Sequence, residues 1–362
     1  MRVGILSMQR IDNYGSLLQS YALKTMIESF GHEVGFLDIR KGDTSKSHLV
    51  SAKSPAITGE GVSKPNYRFK LKEKLFTDRS FSSFRFGALG MTASECTDGS
   101  LFDAVVIGSD EVFNYSPACS WGFSDQLFGA TGSKKTISYA ASCGYSRSED
   151  VFEDHRGALV NALQSLSAVS VRDENTKKFV SGLGREDAVI NLDPVLVYDF
   201  SSELARVKKK YPDNILLVYG YTNRFRDQSE IAAIKEYAAT NGLVTVCVGG
   251  WQWWCDKYLC PGPFEVLSLF RDARAVVTDT FHGTIMAAKF NKPLAVFLRP
   301  SNVNKLGDLI QRVHIDAVQV RAASELSGVL AAAPDYSAFN AEIALQSKVT
   351  RDYLARNLGV SA

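Results

Sequence analysis

Thr278-Asp-Thr-Phe-His-Gly-Thr-Ile-Met-Ala-Ala-Lys-Phe-Asn-Lys-Pro-Leu-Ala-Val-Phe297 is the stretch that decides the fold. With Ala275, Val276 and Val277 before it, it reads as a buried strand over 275–278, a short loop carrying His282, a helix, and a second buried strand over 294–297. The helix follows from Ile285, Met286, Ala288 and Lys289, which keep helical spacing after Gly283 and Thr284. His282 is thereby placed where a parallel strand ends and a helix begins. Open α/β sheets bind ligands there, and helix N-termini receive anions. The setting makes His282 a candidate for chemistry, against the alternative of a purely structural histidine.

The same rhythm extends in both directions. Val3 to Ser7 is a short apolar strand, Tyr14 to Ser29 alternates at helical spacing, Gly31 supplies a stop, and Glu33 to Leu37 is the next strand. From about 40 to 100 the rhythm breaks: Ser, Lys, Gly and Pro accumulate between Lys41 and Lys64, and aromatic and basic residues mix through Phe86. This segment is expected to be a partly mobile insertion near the site mouth. Its locally basic part, Arg68 to Lys74, reads as a solvated helix face. Further strands fit 104–107, 136–140, 169–171 and 188–191, and Leu192 to Asp199 looks like a link into a second half. There, strands at 215–219, 244–248, 275–278 and 294–297 alternate with helices, and 337–358 is a long amphipathic helix.

The economical architecture is α/β, with two Rossmann-like, doubly wound halves facing a cleft. The first half covers 1–195 with the insertion, the second covers 196–335, and 336–362 closes the chain. Neither half carries G-x-G-x-x-G after its first strand, and no G-x-x-x-x-G-K-[ST] occurs. Nicotinamide, flavin and P-loop readings lose their main support, and no cofactor is expected.

Bulk properties narrow the ligand. Across 362 residues, 45% are hydrophobic and 22% charged, as in ordinary soluble proteins. A formal net charge of +2 argues against a nucleic-acid footprint, so an anionic ligand must be met by a few placed cations. The six cysteines form no C-x-x-C pair, so neither a structural zinc nor any other metal is expected. The opening Met-Arg-Val-Gly-Ile-Leu-Ser enters a core strand without an apolar leader, and no run of about 18 apolar residues exists to span a bilayer. A cytoplasmic setting is the expectation.

Five strand-end clusters could carry chemistry. Asp12-Asn-Tyr-Gly15 places Asp12, Asn13 and Tyr14 at the first helix N-terminus, with a helix cap as the plain alternative. Gly108-Ser109-Asp110 with Asn114 offers room for a substrate hydroxyl beside a carboxylate, or simply a turn. Arg172, just past a buried strand, suits forked binding of a carboxylate or phosphate, or an internal ion pair with Asp173 or Asp193. The His282 loop is the fourth. In the fifth, Arg299-Pro-Ser-Asn-Val-Asn-Lys305, Lys305 is placed to steady an anion unless it is solvated surface. Arg172 and His282 belong to different halves and can meet only across a cleft. Trp251-Gln-Trp-Trp254, beside a Gly-Gly turn, suits sugar stacking or packing of the core.

Together the clusters resemble the polysaccharide pyruvyl transferase family. The matching pieces, in order, are Asp12-Asn-Tyr-Gly-Ser-Leu-Leu-Gln-Ser-Tyr-Ala-Leu23, Val106-Ile-Gly-Ser-Asp110, Ile137-Ser-Tyr-Ala-Ala-Ser142 and Ser170-Val-Arg172. Leu192-Asp-Pro194, Thr278-Asp-Thr-Phe-His-Gly-Thr284 and Asn291-Lys-Pro293 follow, so that the likeness spans about residues 1–315. It implies a GT-B-like fold whose last helix crosses back. It also implies transfer of the enolpyruvyl group of phosphoenolpyruvate onto two sugar hydroxyls, giving a pyruvate ketal in cell-surface polysaccharide synthesis. It implies donor binding and catalysis by Arg172 and His282; with the strand-end clusters, the expected roles are His282 and Asp110 in catalysis, and Arg172, Thr280, Gly283, Thr284 and Lys305 around the donor. Asp12, Asn13, Tyr14, Ser109 and Asn114 would face the acceptor, which could be lipid-linked and would bring the protein to the inner face of the membrane. Thr280 stands where family members often have arginine, and Glu111-Val-Phe113 replaces a frequent Gln-Val-Trp. The rival expectations are a nucleotide-sugar glycosyltransferase of the same architecture and a non-catalytic module of glycan assembly.

Overall fold

A computed structural model describes residues 1–46, 67–115, 121–299, 303–332 and 334–360, with the side chains of 67–76 and 304 left aside. The expected mobility of the insertion falls largely on 47–66, and the basic charges of 68–74 and Cys119 also lie outside what is described. The other five cysteines are free thiols.

Two six-stranded parallel sheets form the framework. The first contains β1 (Arg2–Leu6), β2 (Glu33–Leu37), β3 (Ala104–Asp110), β4 (Thr136–Ala141), β5 (Ser170–Val171) and β6 (Val189–Ile190), in the order β2-β1-β3-β4-β5-β6. The second contains β7 (Ile215–Tyr219), β8 (Val244–Val248), β9 (Lys257–Tyr258), β10 (Ala275–Thr278), β11 (Leu294–Phe297) and β12 (Gln319–Val320), in the order β12-β11-β10-β7-β8-β9. Strands such as Ile215-Leu-Leu-Val-Tyr219 are buried along their whole length, which is why their sequences are continuous apolar runs rather than alternating ones.

Topology fixes where a ligand can sit. In the first sheet the chain passes from β1 to β2 on one side and to β3 on the other; in the second it passes from β7 to β8 on one side and places β10 on the other. At such switch points adjacent loops diverge and leave a crevice beyond the strand ends. Asn13, Asp110, Tyr221 and His282 stand at or just beyond the ends of β1, β3, β7 and β10.

The halves share a hydrophobic core. Leu17 and Leu18 of the first helix (Tyr14–Glu28) pack in one cluster with Phe81 and Phe84, the link residues Val195 and Leu196, and Val266 and Phe270 of the second half. The final helix (Ser337–Leu358) packs on the first sheet: Leu354 and Leu358 join Val3 and Ile5, and Tyr353 donates to Ser138 O at 2.8 Å.

The structure sharpens the sequence reading in three places. The helix face read over Arg68–Lys74 belongs to a longer helix, Tyr67–Gly87, whose residues Thr77, Asp78 and Phe81 line the cleft. The strands expected at 169–171 and 188–191 shrink to two residues each, and the short β9 and β12 carried too little pattern to be read. The Trp251–Trp254 cluster does not line the cleft; Trp254 is buried, its indole donating to Phe225 O at 3.3 Å.

Leu354 is wholly buried, whereas Leu345 on the same helix is 56% exposed. Leu354→Ala should therefore cost about 2–5 kcal/mol in urea unfolding, and Leu345→Ala about 0.5 kcal/mol or less. Equal costs would mean that the helix does not seat on the first sheet as described.

Candidate active site

The site is built around a carboxylate that has no exposure at all. Asp193 follows β6 and starts a short helical turn, Pro194–Val197, where Pro at the first helical position fits and one carboxylate oxygen caps the turn by accepting from Val195 N at 3.0 Å. Its other oxygen, Oδ2, receives Arg172 Nη1 at 3.0 Å and Ser109 Oγ at 3.3 Å, and lies 3.6 Å from His282 Nε2. Burial alone would raise the Asp193 carboxyl, but His282 and the Arg172 guanidinium outweigh it and hold the group at about 2. The Arg172 alternative is settled in favour of Asp193: the oxygens of Asp173 are occupied by Ser142 Oγ and by Thr176.

Arg172 is 1% exposed and its guanidinium carbon lies 4.1 Å from the Phe281 ring centroid, a cation–π contact from the residue next to His282. Thr280 caps the His282 helix (Phe281–Lys289), accepting from Gly283 N at 3.0 Å. The His282 ring rests on Gly15 of the first helix. A Cβ at position 15 would come within 2.1 Å of His282 Cγ and Nδ1, so only glycine lets the halves approach this closely. Tyr14 braces the same contact, donating to Pro261 O at 2.7 Å. Lys289 adds a further tie through Leu196 O and Tyr198 O, and its desolvation lowers the ammonium pKa to about 8.

Asp110 adopts a φ of 78°, a left-handed conformation uncommon outside glycine, at the end of β3. This directs its carboxylate to Ser16 Oγ at 2.6 Å, with Arg172 Nη1 3.9 Å away. Glu111 pairs with Lys305 across the cleft and accepts from Asn114 Nδ2 at 2.9 Å. Burial raises the Glu111 carboxyl, yet Lys305, with Arg172 and Asn114, brings it below its ordinary value.

These groups border a cleft of about 690 Å³ between the two halves. Of the residues expected from sequence, Asp12, Asn13, Tyr14, Asp110, Asn114, Arg172, Thr280, His282 and Lys305 line it. Asp12 is tied to Arg85 at 2.6 Å, and Asn13 is the helix cap, accepting from Gly15 N at 2.8 Å. Three do not line it. Ser109 is buried behind the wall, donating to Ala140 O at 2.8 Å, because the side chain of a small strand-end residue can face either layer. Gly283 and Thr284 point into the second half, where Thr284 Oγ1 donates to Thr280 O at 2.9 Å.

Asp193 was one of two partners the sequence offered Arg172, but its sharing with His282, 89 positions away, had no local signal. Glu111, Ser16, Tyr221 and Arg224 also line the cleft without having been singled out as site residues. Arg224 carries a signal of the kind that marked Arg172: it is a cation just after a buried strand, here held on Asp279 at 2.6 Å.

The family model for polysaccharide pyruvyl transferase matches residues 13–301. The chain belongs to that family. No curated protein matches it by sequence. Among solved structures, S. aureus MnaA in its UDP co-structure is similar over 99% of this chain and 97% of that one, at 10% identity and a TM-score of 0.51. UDP-GlcNAc 2-epimerase of Methanocaldococcus jannaschii aligns over 96% and 100%, at 9% identity and a TM-score of 0.48. UGT89C1 of Arabidopsis thaliana complexed with UDP-L-rhamnose aligns over 99% of each chain, at 13% identity and 0.49. At these identities the likeness concerns the fold, the two-halved arrangement of GT-B proteins. In the family frame, Arg172 and His282 of the two matched motifs meet in one cleft.

Two predictions follow from this geometry. Asp193 sits below its unfolded value of 3.8, so the stability it provides is full above about pH 4 and is lost as pH falls towards about 2. Asp193→Asn strands a buried guanidinium and should cost about 3–5 kcal/mol at neutral pH. In urea unfolding the gap between variant and parent should narrow from pH 4 to pH 2; a constant gap would contradict the assignment. Gly15→Ala should displace His282 and cost about 1–3 kcal/mol by overpacking, with loss of turnover. Unchanged stability and activity would show that the ring does not rest on Gly15.

Proposed function

We propose that this protein transfers the enolpyruvyl group of phosphoenolpyruvate onto two hydroxyls of a glycan sugar, closing a pyruvate ketal in cell-surface polysaccharide biosynthesis. The observation that carries this reading is the convergence of Arg172 and His282, from opposite halves, on the one carboxylate of Asp193 in a shared cleft.

The chemistry needs an acid, a base and cations. A proton added to the methylene carbon makes C2 of the donor cation-like, and a sugar hydroxyl bonds to C2 while losing its own proton. The C2–O bond to phosphate then breaks, and phosphate leaves with the bonding pair. The second hydroxyl bonds to C2, loses its proton, and the ring is closed. His282 supplies the first proton, with Asp193 stabilising the imidazolium partner state. Asp110, oriented by Ser16, takes the hydroxyl proton. Arg172 at the cleft base attracts the donor carboxylate, and Lys305 and Arg224 meet the phosphate. Arg224, on the same wall as Thr280, provides the guanidinium that residue 280 lacks. No metal or organic cofactor is required in this scheme. The fit of a peripheral membrane position rests on the acceptor being lipid-linked; no described helix is long and apolar enough to cross a membrane.

The direct test is mass spectrometry of a glycan panel incubated with the protein and phosphoenolpyruvate. The expected result is a ketal adduct together with released phosphate. His282→Ala should lower turnover about a hundred- to ten-thousand-fold while phosphoenolpyruvate affinity, read by calorimetry, changes little. Binding of UDP- or GDP-sugars with no binding of phosphoenolpyruvate would instead support a glycosyltransferase.

A further inference from the structure

The cleft has more lining than a three-carbon donor can use, and its outer part differs in character from the base. Arg172 and His282 at the base have side chains 2% and 11% exposed, whereas Tyr221 is 60% exposed. Tyr221 follows β7 in the second half, and its hydroxyl lies within electrostatic reach of Asp110 and Glu111 of the first half. Trp121, from the first half, and Tyr258, from the second, line the same cleft. The insertion helix adds Asp78. Among the described residues no hydrogen bond or ion pair engages this carboxylate, in contrast to Asp12, Glu111 and Asp279, which are all tied to cations.

Aromatic residues and a carboxylate without a partner among the described residues, lining one cleft, match the chemistry of a pyranose ring. The C–H face of the sugar packs on the ring, and the hydroxyls donate to the carboxylate. We propose that Tyr221, Trp121 and Asp78 form the acceptor subsite, and that it selects a neutral pyranoside over a uronate or other anionic sugar. The inference rests on the pyruvyl-transfer reading only for the word acceptor; sugar binding itself is independent of the donor. Charge sets the selectivity. Asp12, Asp78, Asp110 and Glu111 all line the cleft, and Lys305 is already engaged by Glu111. Arg85 is paired with Asp12 and Arg224 with Asp279, so a sugar carboxylate held beside Asp78 would meet like charge, whereas a neutral ring would meet acceptors for its hydroxyls. The Trp251–Trp254 cluster plays no part in this subsite.

Saturation-transfer NMR tests the proposal without any need for turnover. The probes are methyl glycosides of glucose, galactose, mannose and their N-acetyl derivatives, set against methyl glucuronide and methyl galacturonide, with the wild-type chain. At least one neutral glycoside should bind at least tenfold more tightly than either uronate. Tyr221→Ala should weaken that glycoside about tenfold, and because Tyr221 is largely exposed the variant should keep the parent's unfolding midpoint. Asp78→Asn should raise uronate affinity relative to the neutral sugar. In all three proteins phosphoenolpyruvate affinity should stay within about twofold of its starting value. Uronates bound as tightly as neutral sugars, no sugar bound at all, or unchanged affinity in Tyr221→Ala would each overturn the proposal. Failure of phosphoenolpyruvate to bind, with neutral sugars still bound through Tyr221, would instead sink the donor assignment and leave the sugar subsite standing.

Discussion

A carboxylate removed from water is costly unless charge and hydrogen bonds replace its hydration, and the rest of this site depends on how Asp193 meets that cost. Val195 N occupies one oxygen, while Arg172 and Ser109 occupy the other, with His282 close by. Arg172 comes from the end of β5, Ser109 from β3, and His282 from the second half. One side chain thus fixes the relative placement of three loops and of two separate sheets.

The remaining contacts between halves keep that arrangement within a narrow range. Gly15 leaves room for the imidazole and for nothing larger, Tyr14 reaches Pro261, and Lys289 reaches the link carbonyls. Behind them the shared core makes the halves one packed unit at the cleft floor. Towards solvent the contacts change from buried charge pairs to the Lys305–Glu111 bridge and then to exposed aromatic surface. A gradient of this kind suits a reaction in which a small anion is held deep and a larger sugar approaches from outside.

Much of the fold was legible because parallel strands are buried on both faces and leave unbroken apolar runs, as in Val276-Val277 or Leu216-Leu217-Val218. Strand ends then located His282, Asp110 and Arg172. The helix Tyr67–Gly87 was legible only over Arg68–Lys74, because beyond that its aromatic and polar residues are mixed and its faces are sorted by two different neighbours, the cleft and an outer groove. Ser109 and Thr284 lie outside the cleft lining, because sequence position at a strand or helix end does not say which layer a side chain enters. The sharing of Asp193 is a tertiary fact, without a local signal beyond the Asp-Pro start of a helix. Of the two readings of Trp251–Trp254, sugar stacking or core packing, packing holds for Trp254, and exposed aromatic surface at the cleft comes from Tyr221.

The claim that Asp193 and Arg172 are buried as one unit is tested most directly by a double-mutant cycle in urea unfolding, combining Asp193→Asn with Arg172→Met. Each single change leaves the other group without its partner, whereas the double change removes both charges. The account predicts that the double variant costs no more than the worse single variant, with an interaction energy of about 2 kcal/mol or more. Costs that simply add would contradict it.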